Sequence, residues 1–258
     1  MRQLIKLLYC IGLVFVFLAC DSKEENKDSS NTESIKTFRI GMNAEYPPFE
    51  FKKDAEIVGF DVDILKAISK KVGFEYTLHH MSFDGLIPAL KAGKIDMIIS
   101  SMSATSKRLE QVDFSIPYYR GQTLFIKQKD NTTLVDKESI RGKRIGIYIG
   151  TVQEQAIRKL KADYNLVVIP SDTIFGAIMN LKANKVDAVL ADLATAQGYL
   201  AENPELVGFY QENDGSEGLS IAFDKNKHTQ TLMQINQAIE TLKESGEYDA
   251  ILQKWNLK

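Results

Sequence analysis

Cysteine and histidine are scarce in this chain, which has two cysteines and three histidines among 258 residues. Cys10 and Cys20 both lie close to the N-terminus, so the rest of the chain has no cysteine for a disulfide, a thiolate metal ligand or a thiol nucleophile. His79 and His80 are adjacent on a predicted strand, where neighbouring side chains face opposite sides, and His228 is distant in sequence. We therefore predict no metal site, and we expect no cofactor.

A surplus of basic residues is also missing. Lys and Arg number 32 against 34 Asp and Glu, and residues 1–19 contain two of the basic residues and none of the acidic ones. Without that segment 30 basic residues stand against 34 acidic ones, a formal charge of −4. No basic block follows, and nucleic-acid binding depends on such a surface to neutralise phosphates. The charge pattern therefore disfavours nucleic acid as a partner.

The longest apolar run, residues 7–18, is short for a membrane span. It follows two basic residues and leads into a small residue and Cys20. This pattern resembles a bacterial lipoprotein signal peptide over 1–19, with cleavage before Cys20 and a lipid on its sulfur, although Phe17 stands where leucine is usual. An ordinary secretory signal is the alternative, and both predict export. Residues 20–36 are almost entirely polar and predict a flexible tether.

An internal repeat divides the remaining chain into two similar halves. Residues 89–100, ALKAGKIDMIIS, recur as residues 180–191, NLKANKVDAVLA. In each copy a helix is predicted to end at Gly93 or Asn184, residue types that tolerate a left-handed conformation, and a buried strand to follow. Each copy is preceded by a predicted strand, helix and strand, over 38–42, 62–72 and 74–78 in the first half and over 144–149, 152–160 and 166–169 in the second. The fold class is therefore α/β, with two lobes that each contain a mostly parallel sheet flanked by helices.

Polar residues follow the predicted strands at the ends where parallel α/β sheets bind ligands. They are Asn43, Ser101 and Ser103 in the first half, and Thr151 and Asp192 in the second. A ligand site is therefore expected where these strand ends meet.

Arg108 adds a cation to this set of residues. Thr105 is the predicted N-cap of a short helix with Arg108 in its first turn, so unpaired N–H groups and a guanidinium favour a carboxylate there. If the lobes face each other, Arg108 and Asp192 line opposite walls of one cleft and complement a zwitterion. Simpler interpretations exist: Arg108 as a solvated surface residue, and Asp192 as the N-cap of a helix over 193–200.

Short motifs follow one another through the rest of the chain. In order they are NAEYPPFEF (43–51), VGFDVD (58–63), FDGLIPAL (83–90), TSKR (105–108), VDFSIPYY (112–119), GT (150–151) and DAVLAD (187–192). In this order they resemble the family 3 extracellular solute-binding proteins, the polar amino-acid receptors of bacterial ABC importers. The resemblance implies a type II periplasmic-binding-protein fold and a monomeric receptor that works with an ABC permease and closes about a hinge.

The lobe boundaries are predicted from where the chain crosses over. Lobe 1 is expected to comprise residues 37–119 and 219–258, and lobe 2 residues 120–218. Gly121 and residues 215–218 lie at these crossings and suit a hinge, although plain turns would explain them equally well.

The resemblance also assigns roles at the ends of the ligand. It implies that Arg108 binds the α-carboxylate with help from the backbone N–H groups of Ser103 and Val152. It likewise implies that Asp192, the Ser103 hydroxyl and the Ser101 carbonyl hold the α-ammonium group.

Aromatic and acidic residues indicate the ligand side chain. Tyr46 and Phe83 match family positions that sandwich that side chain, and core packing is the alternative for both. We favour a basic ligand, arginine first and then lysine and glutamine, because Glu45 could pair with a guanidinium while Tyr46 stacks on its plane. If Glu45 points to solvent, Asn43 alone would recognise a neutral amide.

An enzyme on the same fold is the alternative function. Some relatives of this fold are periplasmic dehydratases of cyclohexadienyl acids, for which Glu45 or Glu154 would be the only candidate acid here. Asp61 and Asp63 begin a predicted helix, where acids suit the helix dipole, and are interpreted as structural. Turnover of prephenate or arogenate would distinguish an enzyme from the receptor that we predict.

Overall fold

The computed structural model describes residues 36–257. Within that range no helix is both long enough and apolar enough to cross a membrane. The predicted signal peptide, the lipidation of Cys20 and all of the predicted tether except residue 36 lie outside the described residues. Those features therefore remain predictions.

Strands and helices alternate along the described chain. The strands are β1 (Thr37–Met42), β2 (Glu45–Tyr46), β3 (Glu50–Lys53), β4 (Glu56–Val58), β5 (Glu75–His80), β6 (Met97–Ile98), β7 (Val112–Phe114), β8 (Gln122–Gln128), β9 (Arg144–Tyr148), β10 (Val167–Ser171), β11 (Ala188–Asp192), β12 (Leu206–Asn213) and β13 (Ala222–Asp224). The helices are α1 (Phe60–Val72), α2 (Leu86–Lys91), α3 (Ser106–Leu109), α4 (Val152–Leu160), α5 (Ile174–Lys182), α6 (Leu193–Glu202), α7 (Thr229–Glu244) and α8 (Glu247–Lys254). Elements predicted from the repeat lie within two residues of these bounds.

The strands build two five-stranded sheets of matching order, one in each lobe. The first is β5-β1-β6-β13-β7 and the second is β10-β9-β11-β8-β12, and β2, β3 and β4 form a small third sheet. In each large sheet the first three strands pair in parallel and the last two pairings are antiparallel. Four of the five strands in each sheet therefore share one direction. The strand that runs the opposite way is β13 in the first sheet and β8 in the second, and each follows a crossover from the other lobe. This confirms the two-lobe α/β fold.

The internal repeat extends to individual ion pairs. Arg39 in β1 contacts Asp96 at 2.7 Å, and Arg144 in β9 contacts Asp187 at 2.6 Å. Arg39 also donates to the carbonyl of Gly93, shortly after α2. Arg144 donates in the same way to the carbonyl of Asn184, shortly after α5. Since these arginines are substantially exposed, each ion pair is expected to contribute no more than about 1 kcal/mol, and its main effect is to set the register of the loop.

Each repeat turns from helix to strand through a left-handed residue, as predicted. Gly93 has φ 67° and Asn184 has φ 56°. The strand predicted over 95–100 is paired only at Met97–Ile98, because the chain turns away from the sheet directly afterwards. The Ser100 hydroxyl accepts the N–H of Asn43 at 2.8 Å, and Ser101 has φ 45°. Strand β6 therefore ends at Ile98, and the turn that follows places Ser100 and Ser101 at the edge of the sheet.

The C-terminal helices pack on the first lobe. Helix α7 lies against α1 and buries one apolar face, formed by Ile235, Ala238, Ile239 and Leu242. Each large aliphatic side chain buried in this way stabilises the fold by about 1.5–3 kcal/mol. The end of α8 is tied to α1 as well, since Lys254 and the Trp255 indole donate to Asp63 at 2.6 and 2.7 Å.

Two segments, 119–121 and 214–219, connect the lobes. Leu219 forms isolated bridges with both Ser103 and Tyr119, so the segments run side by side. The first sheet takes its strands from 37–119 and 219–257, and the second takes its strands from 120–218. We propose these crossings as the lobe boundaries.

Candidate functional site

A cavity lies where the carboxyl ends of the strands from both lobes meet. About 440 Å³ between its walls is free of protein atoms, and part of this space is open to solvent. The residues that line it are Asn43, Tyr46, Glu50, Phe83, Ser100, Ser101, Ser103, Arg108, Tyr148, Thr151, Val152, Gln153, Asp192, Asp214 and Leu219. Every residue predicted for the site lines this cavity except Glu45.

Arg108 is a buried cation with no acidic partner among the described residues. The Thr105 hydroxyl caps α3 by accepting the N–H of Arg108, which fixes the residue in the first turn as predicted. Its guanidinium donates to the carbonyls of Ser103 and Gly150 at 2.7 and 2.8 Å and lies 5.3 Å from the Phe83 ring centroid. Burial lowers its pKa to about 10, so the group stays charged at neutral pH. Since a buried charge is costly without a counterion, this wall of the cavity favours an anion.

Backbone donors face the same cavity at the start of α4. Thr151 is the N-cap, and its hydroxyl accepts the N–H of Glu154 at 3.2 Å. The Glu154 carboxylate reaches back to the N–H of Gly150 at 2.7 Å, one residue before the position that a capping box predicts. Within residues 36–257 no acceptor is found for the N–H groups of Val152 and Gln153. A helix start with free donors beside a guanidinium is suited to a carboxylate.

Asp192 supplies the acidic group of the cavity. It is the N-cap of α6, because its Oδ1 atom accepts the N–H groups of Ala194 and Thr195 at 2.9 and 3.2 Å. Its Oδ2 atom has no hydrogen-bond partner in the described part of the chain. Burial raises the pKa of this carboxyl to about 7, and the negative charge of Asp214 adds to the shift. Asp192 is therefore both a helix cap and an acceptor available to a ligand.

Three aromatic rings form another wall. The Tyr148 centroid lies 6.3 Å from that of Tyr46 and 6.0 Å from that of Phe83. Tyr148 was not predicted as a site residue. When the two halves of the repeat are aligned on Arg39 and Arg144, Tyr148 takes the position of Asn43. Its hydroxyl donates to Asn43 Oδ1 at 3.2 Å, and Asn43 Nδ2 donates to the Met81 carbonyl at 3.1 Å. The Asn43 amide is therefore occupied by protein groups.

The structure corrects the prediction for Glu45. Its side chain is 46% exposed, and its carboxylate lies 3.7 Å from the His80 ring. Neighbouring residues on a strand face opposite sides, so β2 turns Tyr46 toward the cavity and Glu45 toward solvent. Glu45 is not among the residues that line the cavity.

Glu50 is the acid that sequence reasoning missed. It is 1% exposed, and its carboxylate accepts the hydroxyls of Ser100 and Ser101 at 2.8 and 3.0 Å. Burial, together with the neighbouring Asp61, raises the pKa of Glu50 well above its usual range. The sequence feature that could have identified Glu50 is its position between Phe49 and Phe51, because an acid flanked by two aromatic residues indicates an apolar environment.

Asp61 is fully buried, although it occupies the first turn of α1 as predicted. Its Oδ2 atom accepts the N–H of Ser101 at 2.6 Å and the Tyr118 hydroxyl at 2.9 Å. Burial raises its pKa to about 6. Asp61 accepts the Ser101 N–H and Glu50 accepts the Ser101 hydroxyl, so both acids support the cavity wall, and Glu50 also lines the cavity.

Two α/β lobes that face each other across a cavity, with a buried cation on one side and a buried acid on another, define a two-lobe solute-binding protein. The chain belongs to the bacterial extracellular solute-binding proteins, family 3, whose sequence pattern matches residues 38–258. This confirms the resemblance that the motifs indicated.

Similar proteins are named for the amino acids that they bind. A probable histidine-binding protein of Campylobacter jejuni is 44% identical over 252 residues, which cover 97% of both chains. The arginine-binding extracellular protein ArtP of Bacillus subtilis is 30% identical over 255 residues, which cover 99% of this chain and 98% of ArtP. The structure of an ancestral arginine-binding protein bound to arginine has a TM-score of 0.80 and 38% identity, covering 85% of this chain and 97% of the other.

Proposed function

We propose that this protein is the extracellular receptor of an amino-acid ABC importer. The observation that carries the proposal is a buried guanidinium, Arg108, and a buried carboxyl, Asp192, that line one cavity and have no ionic partner among the described residues. A free α-amino acid carries the two complementary charges on a single carbon. The names of the similar proteins support an amino acid as the ligand.

The two ends of the ligand are assigned to different groups. Arg108 binds the α-carboxylate through its guanidinium fork, with the N–H groups of Ser103 and Val152 as further donors. The α-ammonium group has three N–H donors, and Asp192, the Ser103 hydroxyl and the Ser101 carbonyl accept them. Support comes from the position of all five residues around the cavity.

The ligand side chain is proposed to be cationic, with arginine first and lysine second, and the neutral amide of glutamine ranks behind both. The aromatic rings of Tyr46, Phe83 and Tyr148 offer faces on which a guanidinium stacks. The lining contains three acidic residues and one basic residue. After Arg108 pairs with the α-carboxylate and one acid pairs with the α-ammonium group, two acidic residues remain in the lining. The Asn43 amide already bonds to protein groups, which weakens the case for a neutral amide ligand. Histidine is the competing ligand, because the Campylobacter jejuni relative is named for it.

Isothermal titration with L-arginine, L-citrulline, L-lysine, L-glutamine and L-histidine tests the ligand. L-Citrulline is a neutral near-isostere of arginine, so we expect it to bind at least tenfold more weakly than L-arginine. Tighter binding of L-histidine than of L-arginine would reassign the ligand and leave the receptor intact. If none of the five amino acids binds, the proposal fails.

Two glutamate variants locate the contact with the cationic side chain. Glu45→Gln changes an exposed acid and should leave arginine binding unchanged. Glu50→Gln changes the buried acid at the cavity and should reduce the ratio of the affinity for L-arginine to the affinity for L-citrulline. Equal effects of the two variants on that preference would remove Glu50 from the specificity site.

Export and anchoring complete the proposal. The family is extracellular, which agrees with a cleaved N-terminal signal. We place a lipid on Cys20, a polar tether over 20–36, and a permease of the importer as membrane partner of a monomeric receptor. Binding is expected to close the cleft about the crossings, which small-angle scattering would record as a smaller radius of gyration; unchanged curves with bound ligand would contradict closure. The dehydratase alternative has no support among the similar proteins named above.

A further inference from the structure

Asp214 is an acidic residue of the cavity that lies outside the sequence motifs and outside the proposed ligand contacts. It follows β12, on the segment that crosses back to the first lobe, and it lines the cavity. Its Oδ1 atom accepts the N–H of Ser216 at 2.9 Å, and the Ser216 hydroxyl bonds to both carboxylate oxygens at 2.9 Å. The turn therefore holds this carboxylate in one orientation.

That orientation directs Asp214 toward the proposed ammonium site. The Ser103 hydroxyl donates to Asp214 Oδ2 at 3.4 Å. A serine hydroxyl has one proton and two lone pairs, so a proton committed to Asp214 leaves the oxygen free to accept from an ammonium group. Asp214 thereby fixes the acceptor role of Ser103.

Gly121 shows that the two carboxylates face the same space. A Cβ atom at residue 121 would lie 2.8 Å from Asp192 Oδ2 and 3.9 Å from Asp214 Oδ2. The oxygen of Asp192 that takes no protein hydrogen bond is therefore the one beside Asp214. Two carboxylates that converge on one small space repel each other, and a cation between them relieves the repulsion.

We propose that Asp214 is a positioning residue for the α-ammonium group: it orients the Ser103 hydroxyl as an acceptor and adds a second negative charge beside Asp192. The ammonium site then combines an acid from the second lobe with an acid from the crossover. This inference rests on the proposed function, because it concerns the same ligand. It adds a group on the hinge that responds to the ligand's amine.

Paired ligands separate this role from a general structural one. 5-Guanidinopentanoate is L-arginine without its amine, so the ratio of the two affinities measures what the protein gains from the ammonium group. Asp214→Asn keeps the size of the side chain and an acceptor for the Ser216 N–H. We expect it to weaken L-arginine binding at least tenfold, to change 5-guanidinopentanoate binding less than threefold, and so to reduce the ratio.

A control variant on the same segment keeps the outcome clear. Glu217→Gln neutralises an exposed acid that has no hydrogen bond to Asp214, so it should preserve the ratio. An unchanged ratio in Asp214→Asn would overturn the inference. If wild type binds no L-arginine, the arginine assignment fails first, and L-histidine with 3-(imidazol-4-yl)propionate provides the same ratio for this test.

Discussion

Single residues determine the charge of the cavity. Arg108 donates only to carbonyl oxygens, and one oxygen of Asp192 accepts nothing from the described residues, so both groups are buried before their ionic partners arrive. Removing a buried ionic partner typically costs 3–5 kcal/mol, and by the same physics adding the missing partner is favourable. The site is therefore prepared for a ligand that brings both charges.

Replacing Arg108 tests whether its buried guanidinium binds the carboxylate of the ligand. Arg108→Ala should abolish L-arginine binding, and Arg108→Lys should recover little, because an ammonium group lacks the planar fork that matches a carboxylate. A ligand at a hundredfold excess over its Kd stabilises a protein by about 2.7 kcal/mol, so wild type should show a clear rise in Tm that both variants lose. An alanine variant with micromolar affinity would contradict the assignment.

The raised pKa of Asp192 predicts opposite pH trends for binding and for stability. Above pH about 7 the carboxylate is charged, so L-arginine affinity should rise as pH increases from 5 to 8. The ligand-free fold binds the proton more tightly than the unfolded chain, so Asp192 should lower the free energy of unfolding as pH rises from about 4 to 7. Asp192→Asn should make the affinity profile nearly flat and the stability profile less steep, because the raised pKa values of Glu50 and Asp61 still make stability depend on pH; titration calorimetry and urea unfolding measure the two profiles. A wild-type affinity that stays flat across this range would contradict the assignment.

Residue-level reasoning from sequence located the Arg108 and Asp192 walls of the cavity better than its aromatic wall. Ser103 and Asp192 follow strands, and Arg108 lies in a helix that Thr105 caps, so such positions can be predicted from periodicity and capping residues. Tyr148 and Glu50 were missed because neither follows a cap or a charge pattern. Which face of a two-residue strand is buried depends on tertiary packing, so Glu45 could not be placed.

At the level of secondary structure, local signals set the elements closely. Helix α4 occupies the predicted range 152–160, and α6 starts where Asp192 caps it. A cap of this kind contributes about 1 kcal/mol, enough to fix a helix start. The extent of β6 was not predictable, since it depends on a hydrogen bond between Ser100 and Asn43, which lies 57 residues earlier in the chain.

The crossover near Gly218 gives a prediction at this level. Gly218 has φ 118°, and a Cβ atom there would lie 2.6 Å from the Tyr119 carbonyl oxygen. Gly218→Ala should therefore lower the free energy of unfolding by more than the 1–2 kcal/mol expected for a left-handed residue alone. Gly215→Ala, also left-handed but with open space around it, is the matched control in urea unfolding. Equal losses in the two variants would show that the crossover is not tightly packed.

The whole molecule is built by repeating one α/β unit and exchanging one strand between the copies. Sequence repeats predicted both lobes, because the same helix-to-strand segment occurs at 89–100 and 180–191. The antiparallel strands β8 and β13 were not predicted, since they pair with strands far away in sequence. The two crossings that bring them in also place Asp214 at the cavity and Gly121 beside the Asp192 carboxylate.

Anchoring of the whole molecule is tested at Cys20. A lipid on its sulfur provides the hydrophobic attachment, so Cys20→Ser should move the protein from the membrane fraction to the soluble exported fraction. Cell fractionation followed by immunodetection measures the change, with Cys10→Ser as the matched control. Fractionation that is identical for wild type and Cys20→Ser would exclude a lipid at this position.

The central claim is that the cavity recognises both charges of one amino acid, and agmatine tests it most directly. Agmatine keeps the amine and guanidinium of L-arginine and lacks the carboxylate, so it cannot use Arg108. Titration calorimetry on wild type should show agmatine binding at least a hundredfold more weakly than L-arginine. Agmatine binding within threefold of L-arginine would contradict the claim, because the buried guanidinium would then have no part in holding the ligand.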